Sequence, residues 1–81
     1  MAVDPVLGEF EKRLREAGRD YETHIRRVSI YLRWCKSNAY DPCRPASCEA
    51  FLKSRKDREN KPNTIEAYSY SIQTFLRFMC S

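Results

Sequence analysis

The sequence predicts an all-α fold, a compact four-helix bundle made of two helical hairpins. Three observations support this class. Apolar residues recur at steps of three and four in four separate stretches, which is the spacing that gives a helix one apolar face. Only two glycines are present, and the four prolines lie at or between the starts of these stretches. β-branched residues are sparse, which disfavours a sheet, and 81 residues suffice for one domain.

The first helix is predicted to run from Pro5 to about Ala17. Asp4 is the expected N-cap, because proline is favoured at the first helical position and aspartate just before it. Gly18 is expected to end the helix in a left-handed cap. The predicted core stripe is Val6, Phe10, Leu14 and Ala17, flanked by Leu7.

A second helix is predicted after Asp20, its N-cap candidate, with an end near Lys36 or Asn38. Its apolar stripe comprises Tyr21, Ile25, Val28, Leu32 and Cys35, widened by His24 and Tyr31. We expect His24 to be packed rather than catalytic, because a single histidine at the edge of an apolar stripe has no catalytic partner in the sequence.

The outer side of the second helix is the densest basic face of the chain. Residues 18–38 carry five basic and two acidic side chains. Ile30 and Trp34 interrupt this face with apolar area. The helix therefore either packs on two sides or presents a partner site there. The face is formed by Thr23, Arg26, Arg27, Arg33 and Lys36.

A proline-containing loop over residues 38–45 is predicted to lead into a third helix that begins at Pro45. Cys48, Phe51 and Leu52 form its short apolar face. The following run, residues 53–61, is wholly polar. It is either the solvated end of the helix with a mobile loop, or a phosphate-binding segment.

The fourth helix is predicted to start at Asn63, with Asn63 as cap and Glu66 reaching back to it, and to end near Met79. Its core stripe is Ile65, Tyr68, Ile72, Phe75, Leu76 and Met79. A shift of 44 residues places helix two on helix four, as two hairpins of similar plan would.

The four cysteines do not form the C-x2-C pairs that are typical of zinc sites. No signal peptide or long apolar run is evident, so the sequence predicts a cytoplasmic chain with reduced thiols. Cys35 and Cys80 lie at the ends of apolar stripes and are expected to be small core residues.

The residues predict binding rather than catalysis. One histidine, no glycine-rich phosphate loop and no metal-ligand spacing disfavour an enzyme, and no cofactor is expected. The net charge of +4 favours an acidic partner. Phosphate contacts are expected along one surface from Arg19, Arg26, Arg27, Lys61, Asn63 and Thr64, and Gln73 is a candidate for reading an adenine edge. From composition alone, an ordinary solvated face is an equally weighted alternative.

Short motifs in the second half of the chain are similar to those of tyrosine recombinases, the phage integrases and Xer-type recombinases. The residues that carry the resemblance are Phe51-Leu52, the run from Lys61 to Tyr68, Ile72, and Phe75-Leu76-Arg77-Phe78. In that family, the N-terminal core-binding or SAM-like domain shows a Pro-Asn-Thr-Ile-x-x-Tyr helix start and a Phe-Leu-x-Phe helix end. The resemblance extends over nearly the whole chain.

The resemblance implies a four-helix domain that clamps one face of double-stranded DNA opposite a separate catalytic domain. The implied DNA-facing residues are Arg19, Thr23, Arg26, Arg27, Lys61, Asn63, Thr64 and Gln73. The family's catalytic arginine, histidine and tyrosine cluster has no match here, so the chain is expected to bind DNA without cutting it. Other recombinase protomers on DNA are further expected partners, in a prokaryotic cell or a virus-infected host.

Two alternatives stay open. In many family members the Asn-Thr-Ile-x-x-Tyr motif opens helix two, whereas here it opens helix four, so residues 48–81 are alternatively the first half of a truncated domain. The rival to DNA binding is a helical protein-interaction module, in which exposed apolar and aromatic side chains pack on another protein. These side chains are Ile30, Trp34, Tyr70 and Phe78.

Overall fold

In a computed structural model, which describes residues 5–59 and 61–80, the chain folds into four α-helices. They are α1 (Pro5–Glu16), α2 (Glu22–Ser37), α3 (Pro45–Glu59) and α4 (Pro62–Met79). The described residues contain no strand, which confirms the predicted all-α class. The predicted N-cap Asp4 lies outside the described residues.

All four helices contribute to one apolar core, and α2 and α4 make the most extensive pair. Aromatic rings join the helices. Phe75 of α4 lies 5.3 Å from Phe10 of α1 and 6.4 Å from Tyr31 of α2, measured between ring centroids. Phe51 of α3 lies 5.3 Å from Tyr31 and 5.5 Å from Tyr68. Edge-to-face contacts of this kind add to the stabilisation from burial itself.

The buried faces of the central pair differ from the predicted stripes. On α2, Val28, Leu32 and Cys35 are buried as predicted, and so are His24 and Tyr31, which were predicted to widen the stripe. Tyr21 and Ile25 are only half-buried. The cause is the direction from which α4 packs. His24 and Tyr31 face α4, so the buried stripe turns toward it.

The buried stripe of α4 turns in the same way. Ser71 and Thr74 are buried beside the predicted Tyr68, Ile72 and Phe75. Ile65, Leu76 and Met79 are half-buried. Ser71 is small, so α2 can approach closely there, and Thr74 satisfies its hydroxyl by donating to the Tyr70 carbonyl at 2.9 Å.

The predicted α1 stripe is correct at its centre and wrong at its ends. Phe10 and Leu14 are fully buried, whereas Val6 is 43% exposed and Ala17 is also exposed. The ends of a short helix reach past the core that its middle covers. Gly18 has φ 69°, which confirms the predicted left-handed cap.

Two predicted N-caps are wrong. α2 begins at Glu22 after Tyr21, and no side chain caps it, so Asp20 lies in the preceding turn. α4 begins at Pro62, which places Asn63 inside the first turn rather than before it. Proline is preorganised for the first helical position, and the N-cap is therefore Lys61, two residues before the predicted cap Asn63.

The expectation of reduced thiols is wrong for two of the four cysteines, because Cys43 and Cys80 form a disulfide. The disulfide joins the α2–α3 loop to the residue after α4. The Cα atoms of the two cysteines lie 5.4 Å apart. Cys35 and Cys48 are free and buried, and burial raises the pKa of both thiols.

The polar run after Leu52 is helical as far as Glu59, so most of the expected mobile loop belongs to α3. In the described ranges, no helix has the length and apolar character needed to span a membrane.

Candidate nucleic-acid interface

Two predicted arginines meet in a shallow concave site between the start of α2 and the middle of α4. We call it the α2–α4 site. The site has a volume of about 320 Å³. Its lining consists of Arg19, Asp20, Thr23, His24, Arg27 and Tyr70. The Ser71 hydroxyl is buried beneath it.

Arg19 is positioned by the C-terminal cap of α1. The Gly18 amide donates to the Arg15 carbonyl and the Arg19 amide to the Leu14 carbonyl, both at 3.0 Å, which is the Schellman pattern. Arg19 therefore lies before α2 rather than at its start. Its Nη2 donates to the Tyr70 hydroxyl at 3.2 Å, so the guanidinium is held over α4.

Arg27 is positioned from within α2, one turn after His24. Its Nη1 donates to the Ser71 hydroxyl oxygen at 3.3 Å, and His24 Nδ1 lies 2.9 Å from the same oxygen. The side-chain partners of Arg19 and Arg27 in this site are thus neutral hydroxyls. A neutral partner fixes the position of a guanidinium without cancelling its charge.

Burial lowers the pKa of His24 below 6.5, and the neighbouring Arg27 lowers it further. Asp20 acts in the opposite direction with a smaller effect. The imidazole is therefore neutral at pH 7, and the positive charge of the site comes from the arginines. The predicted packing of His24 is confirmed, since it is 7% exposed.

Of the other predicted residues of α2, Thr23 lines the site and Arg26 lies outside its lining. Thr23 and Arg26 are exposed, and Arg26 adjoins Arg27 along the helix. Within the described residues, no ion pair involves Arg26. The α2–α4 site therefore has a third cation at its border.

The structure places Lys61, Asn63 and Thr64 together at the start of α4. Thr64 precedes Ser71 by seven residues, so the two lie on the same side of α4, roughly 10 Å apart. Asn63 likewise precedes Tyr70 by seven residues and lies on the same side of α4 as Tyr70. Lys61 is exposed and lines a separate opening of about 340 Å³ with Lys56 and Glu66. The start of α4 thus continues the surface that begins at the α2–α4 site.

Gln73 is not brought together with the other predicted residues. It is exposed, and its amide donates to the Ser69 hydroxyl of the same helix at 3.1 Å. It lies roughly 160° around α4 from Ser71. Base reading by Gln73 stays a prediction.

A second basic concavity was not predicted. It lies between the C-terminal halves of α2 and α3 and has a volume of about 430 Å³. We call it the α2–α3 concavity. Its charged and apolar lining comprises Arg33, Arg55 and Arg58 with Ile30, Trp34 and Phe51.

A pattern in the sequence of α3 could have indicated this concavity. Cys48, Phe51, Arg55 and Arg58 follow each other at steps of three, four and three, so the two arginines continue the apolar face of the helix. Arg55 lies 5.1 Å from the centre of the Tyr68 ring, in a cation–π contact, and is only half-exposed. Residues 53–61 were interpreted together as one polar segment, and the helical spacing of Arg55 and Arg58 within it was therefore overlooked.

No cluster of three or more histidine, cysteine or acidic side chains suitable for a metal ion occurs among residues 5–59 and 61–80. A scan against protein-family models found no match, and searches of curated proteins and of solved structures found no significant match either.

Proposed function

We propose that this chain is the DNA-binding, SAM-like core-binding domain of a site-specific tyrosine recombinase or integrase. In this proposal the domain clamps duplex DNA through phosphate contacts during integration or recombination, and a separate catalytic domain of the parent protein cuts the strands. The observation that carries the proposal is the α2–α4 site, where Arg19 and Arg27 are held by neutral hydroxyls.

Phosphate binding accounts for this geometry better than a structural role does. A guanidinium that only stabilised the fold would be expected to pair with a carboxylate. Arg19 and Arg27 instead bond to Tyr70 and Ser71 and keep their full charge at the surface. Preorganised cations lose little side-chain entropy when they bind a phosphate oxygen.

The spacing of the predicted residues also suits a DNA strand. The start of α4 lies roughly 10 Å along the helix from Ser71, which corresponds to about three base-pair steps. Thr64 and Asn63 offer neutral hydrogen-bonding groups at that distance, and Lys61 adds a charge. Contacts of this kind fix the register of a protein on duplex DNA without reading its sequence.

The test is to titrate the protein into a labelled random-sequence duplex at 50 and 200 mM salt. If Arg19, Arg26, Arg27 and Lys61 each neutralise one phosphate, affinity is expected to fall roughly 100-fold between these concentrations. The triple variant Arg26→Ala, Arg27→Ala, Lys61→Ala is expected to lose most of the binding and most of its salt dependence.

The matched control is Lys12→Ala, Arg44→Ala, Lys53→Ala, which removes the same charge from exposed side chains outside α2 and α4. It is expected to retain the salt slope of the parent chain. Equal losses in the two triple variants would mean that only net charge matters, and would contradict the proposed surface. Absence of duplex binding at low salt by the folded protein would overturn the proposal in favour of a protein-interaction module.

A further inference from the structure

We propose that the α2–α3 concavity binds unpaired nucleotides of a single-stranded nucleic acid, with a base stacked on the Tyr40–Trp34 pair and phosphates held by Arg33 and Arg58. This site is separate from the α2–α4 site and does not depend on it. The proposal combines three features of the α2–α3 concavity that the proposed duplex binding does not involve. They are the charge of its arginines, the aromatic pair at its edge and its volume.

The charge of the concavity selects an anion. The described side chains that line it include three arginines and no acidic residue. Arg33 and Arg58 are exposed, and none of the ion pairs in the described ranges includes either of them. Arg55, stacked on Tyr68, adds a fixed positive charge at the floor. An anionic occupant is favoured because Arg33 and Arg58 are exposed, and no carboxylate is among the described side chains that line the concavity.

The aromatic pair at the edge of the concavity supplies a stacking platform. Trp34 lines the cavity, and Tyr40 lies on it with ring centroids 5.0 Å apart and planes 12° apart. Tyr40 is 43% exposed, and Trp34 stacks on one face of its ring, so a further ring would stack on the other face. Phe51 supports Trp34 from below at 5.5 Å, edge to face. A third planar ring can therefore extend an existing stack.

The ligand class follows from these features together. A lone phosphate would not contact the apolar floor or the ring face. The volume of the concavity, about 430 Å³, is also larger than a phosphate ion. Bases in a duplex are already stacked on each other, whereas an unpaired base exposes its face. Aromatic platforms beside cationic grooves bind single strands with little sequence preference, which makes a generic probe informative.

The experiment uses Trp34 as its own reporter, since it is the only tryptophan in the chain. An oligothymidylate of about eight nucleotides is titrated into the protein while Trp34 emission is recorded. We expect saturable quenching. The double variant Arg33→Ala, Arg58→Ala is expected to weaken binding at least tenfold, and Tyr40→Ala roughly fivefold or more.

Controls separate this site from the first one. Lys12→Ala, Lys53→Ala removes the same charge elsewhere and is expected to bind like the parent chain. The triple variant Arg26→Ala, Arg27→Ala, Lys61→Ala is expected to retain quenching by the oligonucleotide even where it has lost the duplex. Circular dichroism confirms that each variant is folded.

Three outcomes would overturn the inference. The first is no quenching up to millimolar oligonucleotide. The second is an unchanged affinity in the Arg33→Ala, Arg58→Ala variant. The third is a tighter response to a peptide of alternating glutamate and leucine, relative to its glutamine counterpart, since that would assign the concavity to an acidic protein segment. Absence of duplex binding by the parent chain, with quenching by the oligonucleotide present, would count against the proposed function alone.

Discussion

The two basic regions of this molecule hold their arginines against different parts of the bundle. In the α2–α4 site, Arg19 and Arg27 bond to hydroxyl groups at the surface of the bundle. In the α2–α3 concavity, Arg55 stacks on Tyr68, and the floor is made of core aromatic residues. The first arrangement presents charge beside one carboxylate and the exposed ring of Tyr70, and the second presents charge beside a stacked aromatic pair. Two arginines line the first region and three line the second, and positive charge alone does not identify the ligand of either.

The two regions also share a type of turn at a helix C-terminus. Each has one functional residue placed directly after a left-handed residue at a helix end. Gly18 precedes Arg19, and Ala39, with φ 59°, precedes Tyr40. In both, the amide of the placed residue bonds to the carbonyl five positions earlier, Leu14 or Cys35. A left-handed glycine is unstrained, whereas a left-handed alanine carries strain.

The largest expected difference between the regions is in stability. Phe51→Ala removes a fully buried ring that contacts Tyr31, Trp34 and Tyr68. It is expected to lower the free energy of unfolding by about 3–5 kcal/mol. Tyr70→Ala in the α2–α4 site, 55% exposed, is expected to cost less than about 1 kcal/mol. Urea denaturation measures both, and similar losses would show that the concavity floor is not part of the core.

A smaller effect is expected at the cap that positions Arg19. Gly18→Ala places a Cβ in open space but at φ 69°, so the cost is backbone strain alone. We expect the free energy of unfolding to fall by about 1 kcal/mol and duplex affinity to fall with it. Gly8→Ala is the control, because Gly8 is helical and its added Cβ also meets open space. It is expected to increase stability. A neutral Gly18→Ala would show that this turn is not needed.

His24 allows a pH test of the α2–α4 site. Its folded-state pKa lies below the ordinary 6.5 because of burial and Arg27, so the unfolded chain binds the proton more tightly. Stability is then level above pH 6.5 and falls as the pH drops through that value toward the folded pKa. His24→Gln should remove this decline. Equal pH profiles of the parent chain and the variant between pH 7.5 and 5.5 would contradict it.

The sequence was a good guide where one residue decides the outcome. Pro45 opens α3, Gly18 ends α1, and the centre of the core, Phe10, Phe51 and Phe75, lies on the predicted stripes. Apolar spacing reports which side of a helix is buried. It does not report the direction from which another helix packs, and that direction turned the stripes of α2 and α4 toward His24 and Ser71.

The candidate sites were harder to predict, because they depend on contacts between distant segments. Arg19 and Tyr70 are 51 residues apart, and Arg27 and Ser71 are 44 apart. Residue type identified the arginines but not their partners. The Cys43–Cys80 disulfide was missed for the same reason, since its 37-residue separation has no local signal. Arg55 and Arg58 were visible in the spacing of α3, but the polar run that holds them was left open between a solvated helix end and a phosphate-binding segment.

The smallest expected effect concerns the turn that places Tyr40. Ala39→Gly relieves the left-handed strain and, after the entropy that glycine adds to the unfolded chain, is expected to stabilise by about 0.5–1 kcal/mol. Thermal denaturation should show a modest rise in Tm. Because the Tyr40–Trp34 stack depends on this turn, oligonucleotide quenching of Trp34 should be unchanged or stronger. A stable variant that lost quenching would mean that the strained conformation of Ala39 is needed to orient the Tyr40 ring. Gly18 is unstrained, so strain cannot orient Arg19 in the same way.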